Sequence, residues 1–373
     1  MKLFLKCKPF AAVLLLSLAG CVSSGPPSKE AEVNVGEYTA RQSKERLLEY
    51  LREQQGKHIL SGQMDTAWSD FIDPVARVFS DTGKYPAIKG FDYLNVRRPE
   101  LDGGGSKQTE EAIAWWKNSP VKGKNGIVTF CWHWRMPANG TARNARDTYA
   151  PGFKIPFKDG QLDREDPLFA LIQEDLELVA AELEKLRDAG VPVLWRPLHE
   201  ASNYTGRPGW FWWGADKESY LALWAYMHDY FTNERGLDNL IWVWNGQNGS
   251  WYPGPDTVDI AGYDAYENNR ENFGYKPMYA NTWHSLYVMA KSWAPGKLAA
   301  LTENGAIPDP DALIAAGTHW SWFMTWDDHG SVPGHTAKNN HWTGEWHNTN
   351  AHKTRVYRHP YVITLDELPP FSR

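Results

Sequence analysis

Eight short apolar runs recur along the chain, at 58–62, 85–93, 126–134, 191–200, 239–245, 258–266, 298–305 and 320–326. Several are nearly continuous in Val, Ile, Leu and aromatic residues, as strands are when a parallel sheet covers them on both faces. Helical or loop stretches separate them. The clearest helix spans 167–189, with Asp166 as its cap, Pro167 in its first turn and Gly190 just beyond its end. Its apolar residues Leu168, Leu171, Ile172, Leu176, Val179, Leu183 and Leu186 return at three- and four-residue steps, a stripe suited to packing on a sheet. Segments 109–118, 217–235 and 278–293 read as further helices. Eight buried strands with intervening helices, in about 320 residues, predict an α/β chain folded as a single TIM (β/α)8 barrel.

The first residues read differently. Lys2, Lys6 and Lys8 precede an apolar run from Phe10 to Leu16, too short to cross a bilayer, and Leu18-Ala19-Gly20-Cys21 follows. That is the layout of an export signal, and its end resembles the bacterial lipobox, which implies cleavage before Cys21 and lipidation of that cysteine. The reading is therefore a signal peptide at 1–20, a tether at 21–37 rich in Ser, Pro, Gly and Glu, and a catalytic domain at 38–373. Val22, not an acidic residue, follows the cysteine, so the sorting habit of such lipoproteins implies the outer membrane of a bacterial cell envelope. Only Cys131 is then left unmodified, within an apolar run where a buried structural thiol is the ordinary reading, and no intramolecular disulfide is available.

Without the three signal lysines the chain carries 36 basic and 45 acidic residues, a net charge near −9, which argues against nucleic acid as a partner. Aromatic residues make up 14% of the sequence, 20 of them Trp, while the mean hydropathy is −0.55. Flat rings match the C–H faces of pyranoses, so the excess suggests carbohydrate, although part of it must serve the core. The chain is expected to act as a monomer without cofactor.

Chemistry concentrates where the runs end. The fourth ends as Trp195-Arg196-Pro197-Leu198-His199-Glu200, and the seventh as Ala300-Leu301-Thr302-Glu303. Either glutamate alone could be an ordinary surface residue following a strand. Two at strand ends, each before a small or polar loop, form the pair that glycoside hydrolysis requires: one acid and base, one nucleophile, about 5 to 5.5 Å apart for retention. Sequence spacing does not measure that gap. His335, His341, His347 and His352, with Asp327, Asp328, His329 and Glu345, show no spacing diagnostic of zinc and read as a solvated loop that contacts substrate; no metal is expected. The Asp102–Ser106 glycine-rich loop suggests flexibility or close approach of sugar, and Asn139-Gly140-Thr141 matches a glycosylation pattern expected to be empty in a bacterium.

Trp195–Glu200, followed by Gly209-Trp210-Phe211-Trp212-Trp213-Gly214 and by the Glu303 segment, resembles glycoside hydrolase family 26, chiefly β-mannanases. Ser61-Gly62-Gln63, Trp132-His133 and Asp264-Ala265-Tyr266 add to the match, which spans most of the mature chain. The resemblance implies a retaining mechanism with Glu200 as acid/base and Glu303 as nucleophile. Most of the clan of barrel glycosidases that includes this family places Asn before the acid/base; this family places His, here His199, and the resemblance implies that His199 hydrogen-bonds the nucleophile. It also implies that Tyr266 donates to the nucleophile, that His133 and Trp210 line the sugar at the cleavage point and that Trp326 forms its floor. The implied substrate is β-1,4-mannan, galactomannan or manno-oligosaccharide, cut in endo or exo fashion. Two other readings keep parts of this pattern: a relative cleaving β-1,3-xylan or mixed-linkage β-glucan, and a surface glycan-binding lipoprotein that needs the tryptophans but neither glutamate.

Overall fold

The computed structural model describes residues 38–66, 73–97, 107–137, 148, 153–266, 280–328, 340–345 and 347–371. The signal segment, Cys21, the tether, the 102–106 loop, the Asn139 triplet, His329 and His335 lie outside the described residues. Residues 37–373 pack as one unit.

Seven parallel strands hydrogen-bond in chain order: Gly62–Met64, Ile88–Asp92, Ile127–Cys131, Val193–Arg196, Leu240–Trp244, Ile260–Ala265 and Leu298–Asn304. All their residues are buried, which is why they appear in the sequence as runs and not as alternating patterns. The eighth run forms no continuous ladder, yet it closes the barrel. Trp322 bridges Leu60, and Thr325 bridges both Gln63 and Asn304. The amide of Met64 donates to the Thr325 carbonyl at 2.9 Å, and that of Asn304 to the Met324 carbonyl at 2.8 Å. The architecture is thus the (β/α)8 barrel expected, with shifted boundaries: the first run supplies Ile59–Leu60, which also pairs with Val362–Ile363 near the chain end, and the main strand follows at Gly62–Met64.

Around the sheet lie α1 (Ala40–Gln54), α2 (Pro74–Thr82), α3 (Gln108–Lys117), α4 (Pro167–Asp188), α5 (Lys217–Asp229), α6 (Ala280–Trp293), α7 (Pro310–Ala316) and α8 (Asn350–Tyr357). In α4 the Asp166 carboxylate accepts from the Leu168 amide at 2.8 Å, and Ile172, Leu176, Val179, Leu183 and Leu186 are buried. The expected helix at 217–235 ends earlier, at Asp229, and continues as one π-helical turn. Most of the tryptophan excess is core. Trp116, Trp195, Trp224, Trp244 and Trp322 are fully buried, whereas Trp210 is 72% exposed. Composition could not separate these roles, because an indole has enough apolar surface for either.

Candidate active site

The fourth strand buries Arg196 at its end, and the chain then turns through Pro197, Leu198, His199 and Glu200. Leu198 and Glu200 have positive φ, 49° and 50°, a left-handed conformation that costs a non-glycine residue roughly 1–3 kcal/mol. Neighbouring backbone holds it there: the Glu200 amide donates to the Asn245 carbonyl at 2.7 Å. The returning loop closes against this turn so tightly that a Cβ on Gly209 would lie 2.2 Å from the Glu200 carbonyl oxygen, and one on Gly214 2.1 Å from that of Ala201.

On the seventh strand the register slips between Leu301 and Glu303. This bulge lets two successive side chains work on one side of the sheet, which regular alternation forbids. Thr302 donates its hydroxyl to Asp264 Oδ1 at 2.7 Å and accepts from Asn245 Nδ2 at 2.7 Å. Glu303 accepts from Arg196 Nη2 through Oε1 and from the Tyr266 hydroxyl through Oε2 at 2.6 Å. Arg196 Nη1 donates to Asp264 Oδ2 at 3.1 Å, so one buried guanidinium joins two carboxylates. Glu200 Oε1 accepts from Gln247 Nε2 at 3.3 Å. One carboxylate oxygen from each of Glu200, Asp264 and Glu303 lies within 4.8 Å of the other two.

Burial and the Glu303 charge push the Glu200 carboxyl up to about 7, against the opposing pull of Arg196 and His133. Asp264 is also raised, by burial and then by Glu303, with Arg196 opposing. Burial and the adjacent Glu303 raise the Tyr266 phenol well above its ordinary value, so it stays a donor.

A second polar chain approaches from the neighbouring strands. Asp92, ending the second strand, accepts at 2.6 Å from Nδ1 of His133, and His133 Nε2 lies 3.3 Å from His199 Nε2. Trp326 is buried with its ring centre 5.7 Å from that of His133, and Phe211 packs edge-on against His133.

Of the residues expected from the sequence, Glu200, Glu303, Tyr266, His133 and His199 come together, with Trp326 beside His133. Trp210 stands outside the buried Phe211–Trp213 stack. One expected contact is corrected. His199 Nε2 is 4.0 Å from Glu303 Oε1, too far for a hydrogen bond, and contacts His133 instead. The Arg196 guanidinium, a stronger charged donor, occupies that oxygen. The loop around His341 also differs from the solvated surface expected: Asp327, Asp328, His341 and His347 are buried, and Asp328 accepts from the amides of Trp342 and Thr343.

Sequence reasoning assigned no role to Arg196, Asp92, Asp264 or Gln247. The first three had a signal, since a charged residue ending a run buried on both faces needs a partner; Gln247 lies in a loop and had none. Among the described residues, two groups bring three potential metal ligands close together, Glu200 with Asp264 and Glu303, and Asp92 with Cys131 and His133. Arg196 already bridges the first, and the Asp92–His133 hydrogen bond closes the second.

The architecture and site define a (β/α)8 barrel with a carboxylate pair at the ends of its fourth and seventh strands. Residues 37–367 match the model of glycosyl hydrolase family 26, and the chain belongs to that family. It is 36% identical over 352 residues to a mannan endo-1,4-beta-mannosidase of Thermothelomyces thermophilus, covering 92% of this chain and 65% of that protein. It is 31% identical over 337 residues to mannan endo-1,4-beta-mannosidase B of Piromyces sp, covering 88% and 52%. The chain thus spans about half to two thirds of the length of these curated relatives. Among solved structures, the Podospora anserina GH26-CBM35 beta-(1,4)-mannanase is similar at a TM-score of 0.70 and 32% identity, covering 90% of this chain and 69% of that one. The beta-mannanase from a symbiotic protist of the termite Reticulitermes speratus, complexed with gluco-manno-oligosaccharide, gives 0.68 and 29%, covering 88% and 95%.

Proposed function

We propose that this chain is a retaining β-1,4-mannanase that hydrolyses mannan, galactomannan or manno-oligosaccharides by double displacement. The observation that carries the reading is the difference between two close carboxyls. Glu200 has one weak donor and a pKa raised to about 7, whereas Glu303 accepts from a guanidinium and a phenol. The approach of one oxygen of each to within 4.8 Å supports the close pair that a retaining enzyme uses. The named activities of the relatives give the substrate class.

In the first step Glu303 attacks the anomeric carbon while Glu200 gives its proton to the departing glycosidic oxygen. Glu303 becomes a neutral ester, its repulsion on Glu200 vanishes and the Glu200 pKa falls. Glu200 then takes a proton from water, which attacks the same carbon and releases the retained anomer. Arg196 and Tyr266 hold Glu303 aimed at the anomeric carbon. His133, His199, Trp210, Tyr266 and Trp326 contact the sugar at the cleavage point. Residues 1–20 direct export, Cys21 carries the lipid anchor at the bacterial outer membrane, 21–37 form a tether and 38–373 the catalytic domain. The protein acts as a monomer.

The test compares wild type with Glu303→Ala and Glu200→Ala on galactomannan, lichenan and β-1,3-xylan. Glu303→Ala is expected to lose activity at least about 10⁴-fold on galactomannan. Glu200→Ala is expected to keep turnover of an activated aryl mannoside and to be rescued by azide, because a good leaving group needs no proton. Undiminished hydrolysis by Glu303→Ala would sink the assignment. Preference for lichenan or xylan would move the substrate, and release of the inverted anomer in an NMR time course would remove retention.

A further inference from the structure

We infer that Asp92 is a positioning residue of the active site, holding His133 as an imidazolium whose Nε2–H donates to His199 and so fixes the proton of His199 on Nδ1. The geometry starts from a carboxylate with little freedom. Asp92 is buried, and its Oδ1 accepts from the amides of Leu94 at 2.9 Å and His133 at 3.0 Å. Oδ2 is left for His133 Nδ1 at 2.6 Å. A carboxylate only accepts, so that nitrogen carries a proton. Among the described residues His133 is the one ion-pair partner of Asp92, and a buried carboxylate without a counter-charge is costly. An imidazolium on His133 supplies the charge.

Two nitrogens 3.3 Å apart need one proton between them, so the charged His133 makes Nε2 of His199 the acceptor. Burial favours a neutral His199, and so do the positive charges of Arg196 and His133. Burial opposes the charge on His133, as does Arg196, but Asp92 and Glu303 together outweigh them and raise its pKa. The groups facing His133 are Asp92 on the second strand, Cys131 on the third, Arg196 and His199 on and after the fourth, Glu200 beyond them and Glu303 on the seventh. One term runs the other way. His199 Nδ1 is buried without a partner, and a proton there costs about 1–3 kcal/mol. Neutralising the buried Asp92 charge outweighs it.

The arrangement leaves Nε2 of His199 without a proton to offer Glu303, whose Oε1 lies 4.0 Å away. It also places a cation where it restrains the upward shift of Glu200. Nitrogen-15 NMR of the histidine side chains at pH 7 tests the assignment directly, with both His133 nitrogens expected to be protonated and His199 the Nδ1–H tautomer. A neutral His133, or an Nε2–H His199, would overturn it. In Asp92→Asn, checked for native circular dichroism, His133 is expected to lose its charge. The alkaline limb of activity then moves upward by roughly 0.5–1 pH unit, because Glu200 loses a positive neighbour. An unmoved limb argues for a purely structural Asp92 and rejects the inference. In a His133→Gln background the Asp92→Asn change is expected to move the limb no further, and an additive shift would count against the coupling. The pH measurement rests on Glu200 acting as the acid, whereas the NMR measurement does not, so failure of the proposed function and failure of the Asp92–His133 coupling give different results.

Discussion

Glu200 combines a left-handed backbone with a carboxyl that burial and Glu303 hold in the protonated form up to about pH 7. Both features cost stability, and the second does so in a pH-dependent way. A carboxyl whose folded pKa is raised favours the folded state while protonated. That stability is fully present below the ordinary pKa near 4.5 and is lost as pH rises through about 7. Glu200→Gln removes the titration but keeps the shape. It is expected to stabilise the protein by up to about 3 kcal/mol at pH 8 and to change little at pH 4. Denaturant unfolding at the two pH values measures the difference, and an equal gain at both would refute the account. At this scale the sequence displayed Glu200 and Glu303 because both follow apolar runs. It did not reveal that Arg196, four residues before Glu200, contacts Glu303 in place of His199, because competition for one oxygen depends on distances across the barrel.

Among the elements, the loop from Gly209 to Gly214 and the bulge at Thr302 set the positions of the two carboxyls. The loop presses glycine onto the carbonyls of Glu200 and Ala201, and Trp213 Nε1 donates to the His199 carbonyl at 2.8 Å. Gly214→Ala has no flexible neighbour to displace, since the atom it meets is backbone. The variant is expected to shift the acid-bearing turn, with a loss of roughly 100-fold in kcat, as displacement by about 1 Å can cause, together with a lower Tm. Kinetics and a thermal melt check it, and a fully active, equally stable variant would show that the turn does not depend on this contact. The helices were readable here: Asp166, Pro167 and the Leu/Ile/Val stripe of α4 are local signals that packing then used. The bulge was not, because nothing in Leu301-Thr302-Glu303 distinguishes a regular strand from one that slips against Tyr263 and Asp264.

For the whole molecule, closure depends on residues far apart in sequence. Thr325 bridges the first and seventh strands, and Ile59–Leu60 pairs with Val362–Ile363. The proposed lipid anchor belongs to this scale too, since it would fix where the barrel works. Cys21→Ala in the full-length chain is expected to abolish incorporation of radiolabelled palmitate and to move most of the activity from the membrane to the soluble fraction. Unchanged fractionation would rule out anchoring through Cys21.

Some of this protein was determined by sequence alone. Eight apolar runs, the capped helix between the third and fourth of them and two glutamates at run ends point to the barrel and its carboxylate pair, because periodicity, capping and strand-end position are properties of neighbouring residues. The tertiary structure decided the rest: which tryptophans are core, which donors reach Glu303, that Asp92 stands behind His133, and how close Glu200 lies to Glu303. These depend on separations between strands, and packing fixes such separations only once the barrel has closed.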